Sequence, residues 1–347
     1  MLGGSLLIKA ERNTASLKTY RIAVILISAA ALLLVAVLSI AVGTVHFSIS
    51  DIICTIKGKP PVGYAEQIIM NVRIPRILTG IFVGMNLGVA GVLLQGILRN
   101  PMASPNIIGV NSGAGLAAVI IMTLIPGKVM LIPFSAFVGA MLAALLIYVL
   151  SAGSGNSNTV HIVLAGIAVS SFLNALTSAL MTINSDILEV TYSWMLGSLS
   201  GRGWSSVQSI LPYSVIALSA AVFISPKLNL FSLGDEVAES VGLSIRLYRI
   251  IIMLTAAVLA GSAVSAAGTI GFVGLIAPHS ARLLTGSDNR CLVPLSAVLG
   301  ALLLILSDTV ARTIFQPVEL SVGIITSVLG APFFLLLLYR KRKEKSF

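Results

Sequence analysis

SPKLNLFSLGDEVAESVGLSIRLYR, Ser225 to Arg249, is a long polar break in an otherwise apolar second half of the chain, and it holds three of the twelve carboxylates. Gly234 and Asp235 can open a short helix there. Glu236 and Glu239 fall in its first turns, where the helix dipole favours negative charge, and Gly242 can close it. The pattern predicts a helix of about two turns between two membrane-length segments. Taken alone, the stretch fits a solvated loop between two spans or a docking element for a cytoplasmic partner, and the rest of the chain has to arbitrate.

At 57 % hydrophobic and 10 % charged residues over 347 positions, with mean hydropathy +1.03, there is too little polar surface to coat a water-soluble globule. An all-α, polytopic membrane protein is expected. Residues 22–42, 77–98 and 320–339 each supply the ~20 uncharged apolar residues that a span needs. Cys54 and Cys291 fall on opposite faces in the threading below and are not expected to pair. The net charge of +10 has no aromatic-interleaved basic stripe, so no nucleic-acid partner is expected. The first 19 residues are too long and too mixed for a signal-peptide n-region, and the first span is read as retained.

Lys9, Arg12, Lys18 and Arg21 precede the first span, and Arg340, Lys341, Arg342, Lys343 and Lys345 follow the last. By the positive-inside rule both termini are expected in the cytoplasm, which requires an even number of crossings. About ten fit: 22–42, 68–98, 105–124, 130–151, 159–182, 206–224, 248–267, 271–284, 291–311 and 321–339. The expected organisation is a cytoplasmic tail 1–21, a transmembrane domain 22–339 with a cytoplasmic segment 225–247, and a basic tail 340–347. The eighth segment is short for a crossing and should be tilted, broken or shielded. Gly80, Gly84, Gly88 and Gly91, and likewise Gly268, Gly271 and Gly274, read as places where helix backbones approach closely.

No phosphate-binding loop, zinc-protease motif, serine-hydrolase elbow or Cys/His cluster occurs. Gly113, Gly115 and Ala118 imitate a dinucleotide fingerprint without the strand that it needs. His46, His161 and His279 read as structural. No catalytic residue and no metal site are assigned. The carboxylates fall in loops or near span ends, with Asp308 the nearest exception; its spacing to Arg312 suggests a helical pair at the outer end. With no ionisable group at mid-membrane to couple a proton or sodium ion, an ion-coupled secondary transporter remains only an outside alternative.

Three blocks, Asn71–Gly115, Gly268–Arg290 and Asp308–Leu338, resemble the FecCD-type permease subunits of type II ABC importers, which move ferric siderophores, haem or cobalamin. The likeness runs in order through nearly the whole chain after the N-terminal tail. It implies the type II importer permease fold, with about ten transmembrane helices, in the bacterial cytoplasmic membrane. It also implies a homodimer, or a heterodimer with a paralogue, working with two cytoplasmic ATPase subunits and an extracytoplasmic substrate-binding protein. No cofactor would sit on this chain, because ATP and Mg belong to the ATPase, and the chain itself would not be an enzyme. The resemblance turns the opening stretch into an ATPase-coupling helix at Gly234, Asp235, Glu236, Ala238 and Glu239. It places binding-protein docking at Arg73, Arg76 and Arg312 and the cytoplasmic gate at Asn158 and Thr159. Asn174, Thr177, Met181, Tyr192 and Met195 are pathway candidates. Ferric siderophore is the leading substrate, ahead of haem and cobalamin.

Overall fold

The computed structural model describes residues 2–43, 45–152 and 159–344, and among them the fold is helical without strands. In chain order the helices are α1 (Leu2–Ala41), α2 (Ile49–Ile56), α3 (Gly63–Glu66), α4 (Ile74–Ile97), α5 (Val110–Leu124), α6 (Leu131–Ala152), α7 (Thr159–Ile183), α8 (Leu188–Met195), α9 (Trp204–Phe231), α10 (Asp235–Ser240), α11 (Ile245–Ala267), α12 (Val273–Thr285), α13 (Asn289–Ala311) and α14 (Val322–Glu344). A wider π-helical stretch, Gln67–Arg73, joins α3 to α4 without a break. Among the described residues, seven segments are long and apolar enough to cross a membrane: Leu17–Ala41, Gly63–Ile97, Leu131–Ser151, Val160–Ile183, Trp204–Phe231, Ile245–Ala267 and Asn289–Ala311. Two shorter apolar helices, Val110–Leu124 and Val322–Leu337, accompany them.

The remaining segment expected to span, α12, has 13 residues, about 20 Å against a hydrocarbon core of about 30 Å. It is a half-helix. Its first turn is shielded by α4, since a Cβ on Gly91 would strike the Gly274 backbone. Gln95 of α4 covers the same place, donating to the Gly274 carbonyl at 3.3 Å while its own oxygen accepts from Arg282 at 3.1 Å. Backbone polar groups deep in the bundle are thus satisfied by protein rather than lipid.

α4 is the axis of the fold. It packs against α9, α11, α12 and α13, and 78 % of its most apolar window is buried, against 11 % for α1 and 22 % for α7. Gly84 lies on the backbone of Gly300 and Ala301, and Gly88 on Ser296, so these positions and Gly91 are the close approaches that the spacing predicted. Gly268 and Gly274 are close approaches too: Gly268 ends α11 at φ 74° against the Trp194 carbonyl of α8, and Gly274 lies on Leu87, whereas Gly271, in the link between α11 and α12, faces open space. At mid-helix, the buried Asn86 amide donates to Ser214 of α9 at 2.7 Å and Ser262 of α11 at 3.0 Å.

α9 continues into the segment 225–247. α9 runs on to Phe231 through Pro226, which has no N–H to give to the Val222 carbonyl. The Ser225 hydroxyl donates to that carbonyl instead, at 2.7 Å. Phe231 and Leu228 are fully buried, so core packing extends the helix past the proline.

α4 has 24 residues, so its ends stand about 36 Å apart. Arg73 and Arg76 mark one end and Arg99 follows the other, giving an arginine end and an α10 end. α13 runs between them, from Asp288 beside Asn229 and Arg21 to Arg312 beside Arg73. α14 leaves from the arginine end, where the Leu320 amide donates to the Ala311 carbonyl.

Candidate functional site

At the α10 end the short helix forms as the sequence predicts. Gly234 precedes it at φ 108°, and Gly242 follows at φ 82°. The Gly242 amide donates to Glu239 at 2.8 Å and the Leu243 amide to Ala238 at 3.0 Å, the paired closure that a left-handed glycine allows. α10 is then tied to the bundle by one carboxylate: Asp235 accepts from Arg99 and, at 3.0 Å, from Arg249 of α11. Arg99 occupies the left-handed region at φ 47°, a conformation costing about 1 kcal/mol for a residue with a Cβ. It is held there by a 2.7 Å bond from its Nε to the Phe231 carbonyl and by Asp235.

This geometry divides the five residues expected to meet an ATPase. Glu236 and Glu239 are exposed, and Gly234 is partly so. Ala238 is fully buried against the chain's own core, and Asp235 is engaged internally. Neither is placed as a free partner contact. Sequence reasoning missed the residues that do face outward. Leu233, just before α10, Val237 within it and Val241 just after it are 60 %, 48 % and 65 % exposed. All three stand in the sequence as apolar residues inside the polar break.

At the arginine end the three arginines do come together, across more than two hundred positions, but not as free surface cations. Arg73 donates to the carbonyls of Ile40 at 2.5 Å, Ala41 at 3.2 Å and Val45, and its guanidinium lies 5.1 Å from the Phe47 ring centre. Arg312 donates to the Ser39 carbonyl and hydroxyl and, at 2.7 Å, to the Val42 carbonyl. The last carbonyls of α1 have no partner within their own helix, and α1 carries no basic residue in its last turn. Two arginines from distant helices therefore close it, matching positive charge to the negative end of its dipole.

Arg76 grips Asp308 at 2.9 and 3.0 Å and reaches Glu319 at 2.9 Å. The expected Asp308–Arg312 pair is secondary, at 3.8 Å; the main partner of Asp308 is Arg76. Glu319, outside the spans, would be raised by burial, but Arg76, a hydrogen bond from Ser200 and Arg312 together hold it below the ordinary glutamate value. Beside these groups opens a cavity of about 210 Å³ lined by Gly43, Val45, Arg73, Arg76, Arg312 and Glu319 among others. The arginines are 5–7 % exposed, so any partner must meet them through this cavity.

The pathway candidates separate on α7 and α8. Asn174 and Tyr192 are exposed, and Met181 and Met195 are half-buried. Thr177 is 2 % exposed with its hydroxyl donating to the Leu173 carbonyl at 2.9 Å; it faces its own bundle and lines no open path. Of the gate candidates, Asn158 lies outside the described residues, and Thr159 begins α7.

The profile of the FecCD transport family matches residues 31–340. The chain is 39 % identical over 322 residues to the Fe(3+)-citrate import system permease protein YfmE of Bacillus subtilis, covering 92 % of this chain and 96 % of that one. It is 40 % identical to the cobalamin import system permease protein BtuC of Halobacterium salinarum, over 79 % and 74 % of the two chains. With the hemin transport system permease protein HmuU of Yersinia pestis the identity is 37 %, over 80 % and 84 %. A solved structure described as an inward-facing conformation of a metal-chelate type ABC transporter superposes with a TM-score of 0.79 at 30 % identity, covering 91 % of this chain and 98 % of that one.

Proposed function

The chain belongs to the FecCD transport family, and from that premise we propose that it is the membrane-spanning permease subunit of an ATP-driven importer of a ferric chelate, with ferric siderophore as the leading cargo. Relatives named for iron citrate, haem and cobalamin stand at similar identity, so haem or cobalamin is the alternative. The observation that carries the reading is α10. A six-residue helix pinned to α4 and α11 through Asp235, yet presenting Leu233, Val237 and Val241 outward, is built to pass force between an external partner and the central helices.

The partner at this end is a cytoplasmic ATPase that supplies ATP and Mg. Its groove is apolar with basic groups at the rim, to match the valine and leucine ridge flanked by Glu236 and Glu239. The α10 end is the cytoplasmic side, with both chain termini on it. The arginine end faces outward and receives the extracytoplasmic binding protein. The largely unburied faces of α7 and α14 meet a second copy, with Asn174 and Tyr192 toward the pathway between the copies.

Asp308 does not favour the ion-coupled alternative, because it lies in the last turn of α13 and is locked to Arg76. The test is transport of labelled ferric siderophore in vesicles holding the permease, the ATPase and the binding protein. Uptake should require ATP hydrolysis and survive a proton ionophore. Uptake that persists without the ATPase and collapses with the ionophore would overturn the reading.

A further inference from the structure

Three guanidinium groups and two carboxylates meet at the arginine-end cavity, so one positive charge has no carboxylate partner. The end of α1 contributes only about half a negative charge, which leaves the cavity partly positive. Among the described residues the Nε of Arg312 is buried without a hydrogen-bond acceptor, the Asp308 oxygen at 3.8 Å lying beyond hydrogen-bonding distance. Such a site attracts one more anionic oxygen.

The two resident carboxylates are held differently. The Asp308 side chain is 2 % exposed and gripped by both the Nε and an Nη of Arg76. Glu319 is 34 % exposed, reaches Arg76 through Nη1 alone, and sits on the segment between α13 and α14. An arriving carboxylate finds Glu319 the easier one to displace.

We propose that Glu319 is an internal counter-ligand: it occupies Arg76 Nη1 in the undocked permease and yields it to a carboxylate side chain of the extracytoplasmic binding protein. The proposal rests on the docking role given above to the arginine end. It makes Glu319 the residue that sets docking strength. It also links docking to α14, because Glu319 adjoins Leu320, whose amide bonds the Ala311 carbonyl just before α14 begins. Arg76 stays anchored throughout by Asp308, while Arg73 and Arg312 supply the field that draws the carboxylate in.

The test titrates the importer's own binding protein onto the permease–ATPase complex in lipid nanodiscs. Glu319→Gln removes a like charge that faces the incoming carboxylate. It should tighten docking about fivefold to tenfold and steepen its salt dependence, and Glu319→Ala should move docking the same way. A merely structural glutamate would leave docking equal or weaker, and equal or weaker docking in both variants overturns the proposal. On the wild-type complex, acetate should weaken docking more than chloride at equal ionic strength, and equal effects of the two salts count against a carboxylate receptor. If Arg73→Glu loses docking while Glu319→Gln matches wild type, the counter-ligand is wrong and the docking role stands. If Arg73→Glu folds and docks like wild type, the docking role itself is wrong.

Discussion

The two ends of α4 solve the same problem with opposite exposure. Both use arginines to join distant helices, Arg73, Arg76 and Arg312 at one end, Arg99 and Arg249 at the other. At the arginine end the three arginines are buried, held by α1 carbonyls, Asp308 and Glu319, and reached through a small cavity. At the α10 end Arg249 is buried too, but Arg99 and the shared carboxylate, Asp235, are 40 % and 41 % exposed, and an apolar ridge stands beside them uncovered. The Arg76–Asp308 pair is internal scaffold and the Arg99–Asp235 pair an adjustable tether, because removing one partner of a buried pair strands a charge and removing one partner of an exposed pair does not.

That contrast can be broken most sharply at Asp308. Asp308→Ala leaves Arg76 without its buried partner and should cost about 3–5 kcal/mol, read as a large drop in the thermal unfolding midpoint. Asp235→Ala should cost less, because that carboxylate is 41 % exposed where Asp308 is 2 % exposed. Equal losses in the two variants would erase the distinction between the ends.

Next in size is the outward ridge. Leu233→Asp combined with Val237→Asp should abolish co-purification of the ATPase, while changing stability by about 0.5 kcal/mol or less, since both side chains are exposed. An unaltered yield of ATPase would remove the ridge from the interface.

A smaller effect separates the ends by pH. Glu319 at the arginine end and Asp288 at the α10 end are both held below their ordinary values. For Asp288, burial acts upward but is outweighed by hydrogen bonds from Asn229 and the Arg290 amide and by Arg21. A depressed folded value stabilises above the unfolded value, and that stability is lost as pH falls through the folded one. The unfolding midpoint should therefore decline as acid is added below the ordinary carboxylate range, and Glu319→Gln should flatten part of that decline. An unchanged slope in the variant would show that Glu319 contributes nothing to it.

The smallest expected change is at Glu239. It is exposed, and among the described residues no hydrogen bond or ion pair fixes its side chain, so Glu239→Gln should weaken ATPase association by about threefold or less, an effect that fades with added salt. A loss as large as that of the ridge variant would make the rim, not the ridge, the main contact.

Much was legible in the residues themselves. Composition alone required a membrane protein, because 10 % charged residues cannot coat a globule. Glycine spacing located the close approaches along α4 because the helical repeat puts residues three and four apart on one face. Gly234 and Gly242 bounded α10 because only a residue without a Cβ takes those backbone angles cheaply. Such properties depend on neighbours in sequence, and a sequence displays neighbours.

Only the tertiary structure decided what each charge does. Arg73 and Arg312 close α1 because helices far apart in the chain bring guanidinium groups to carbonyls that their own helix leaves unpaired. Asp308 belongs to Arg76, 232 residues away, rather than to Arg312 four residues on. Asp235 is shared between two helices because Arg99, held in a left-handed conformation, and Arg249 both reach it. α9 outran its proline because Leu228 and Phe231 had a core to enter. A side chain's partner is set by which helices the packing brings within 3 Å or so, and that distance is a property of the folded chain.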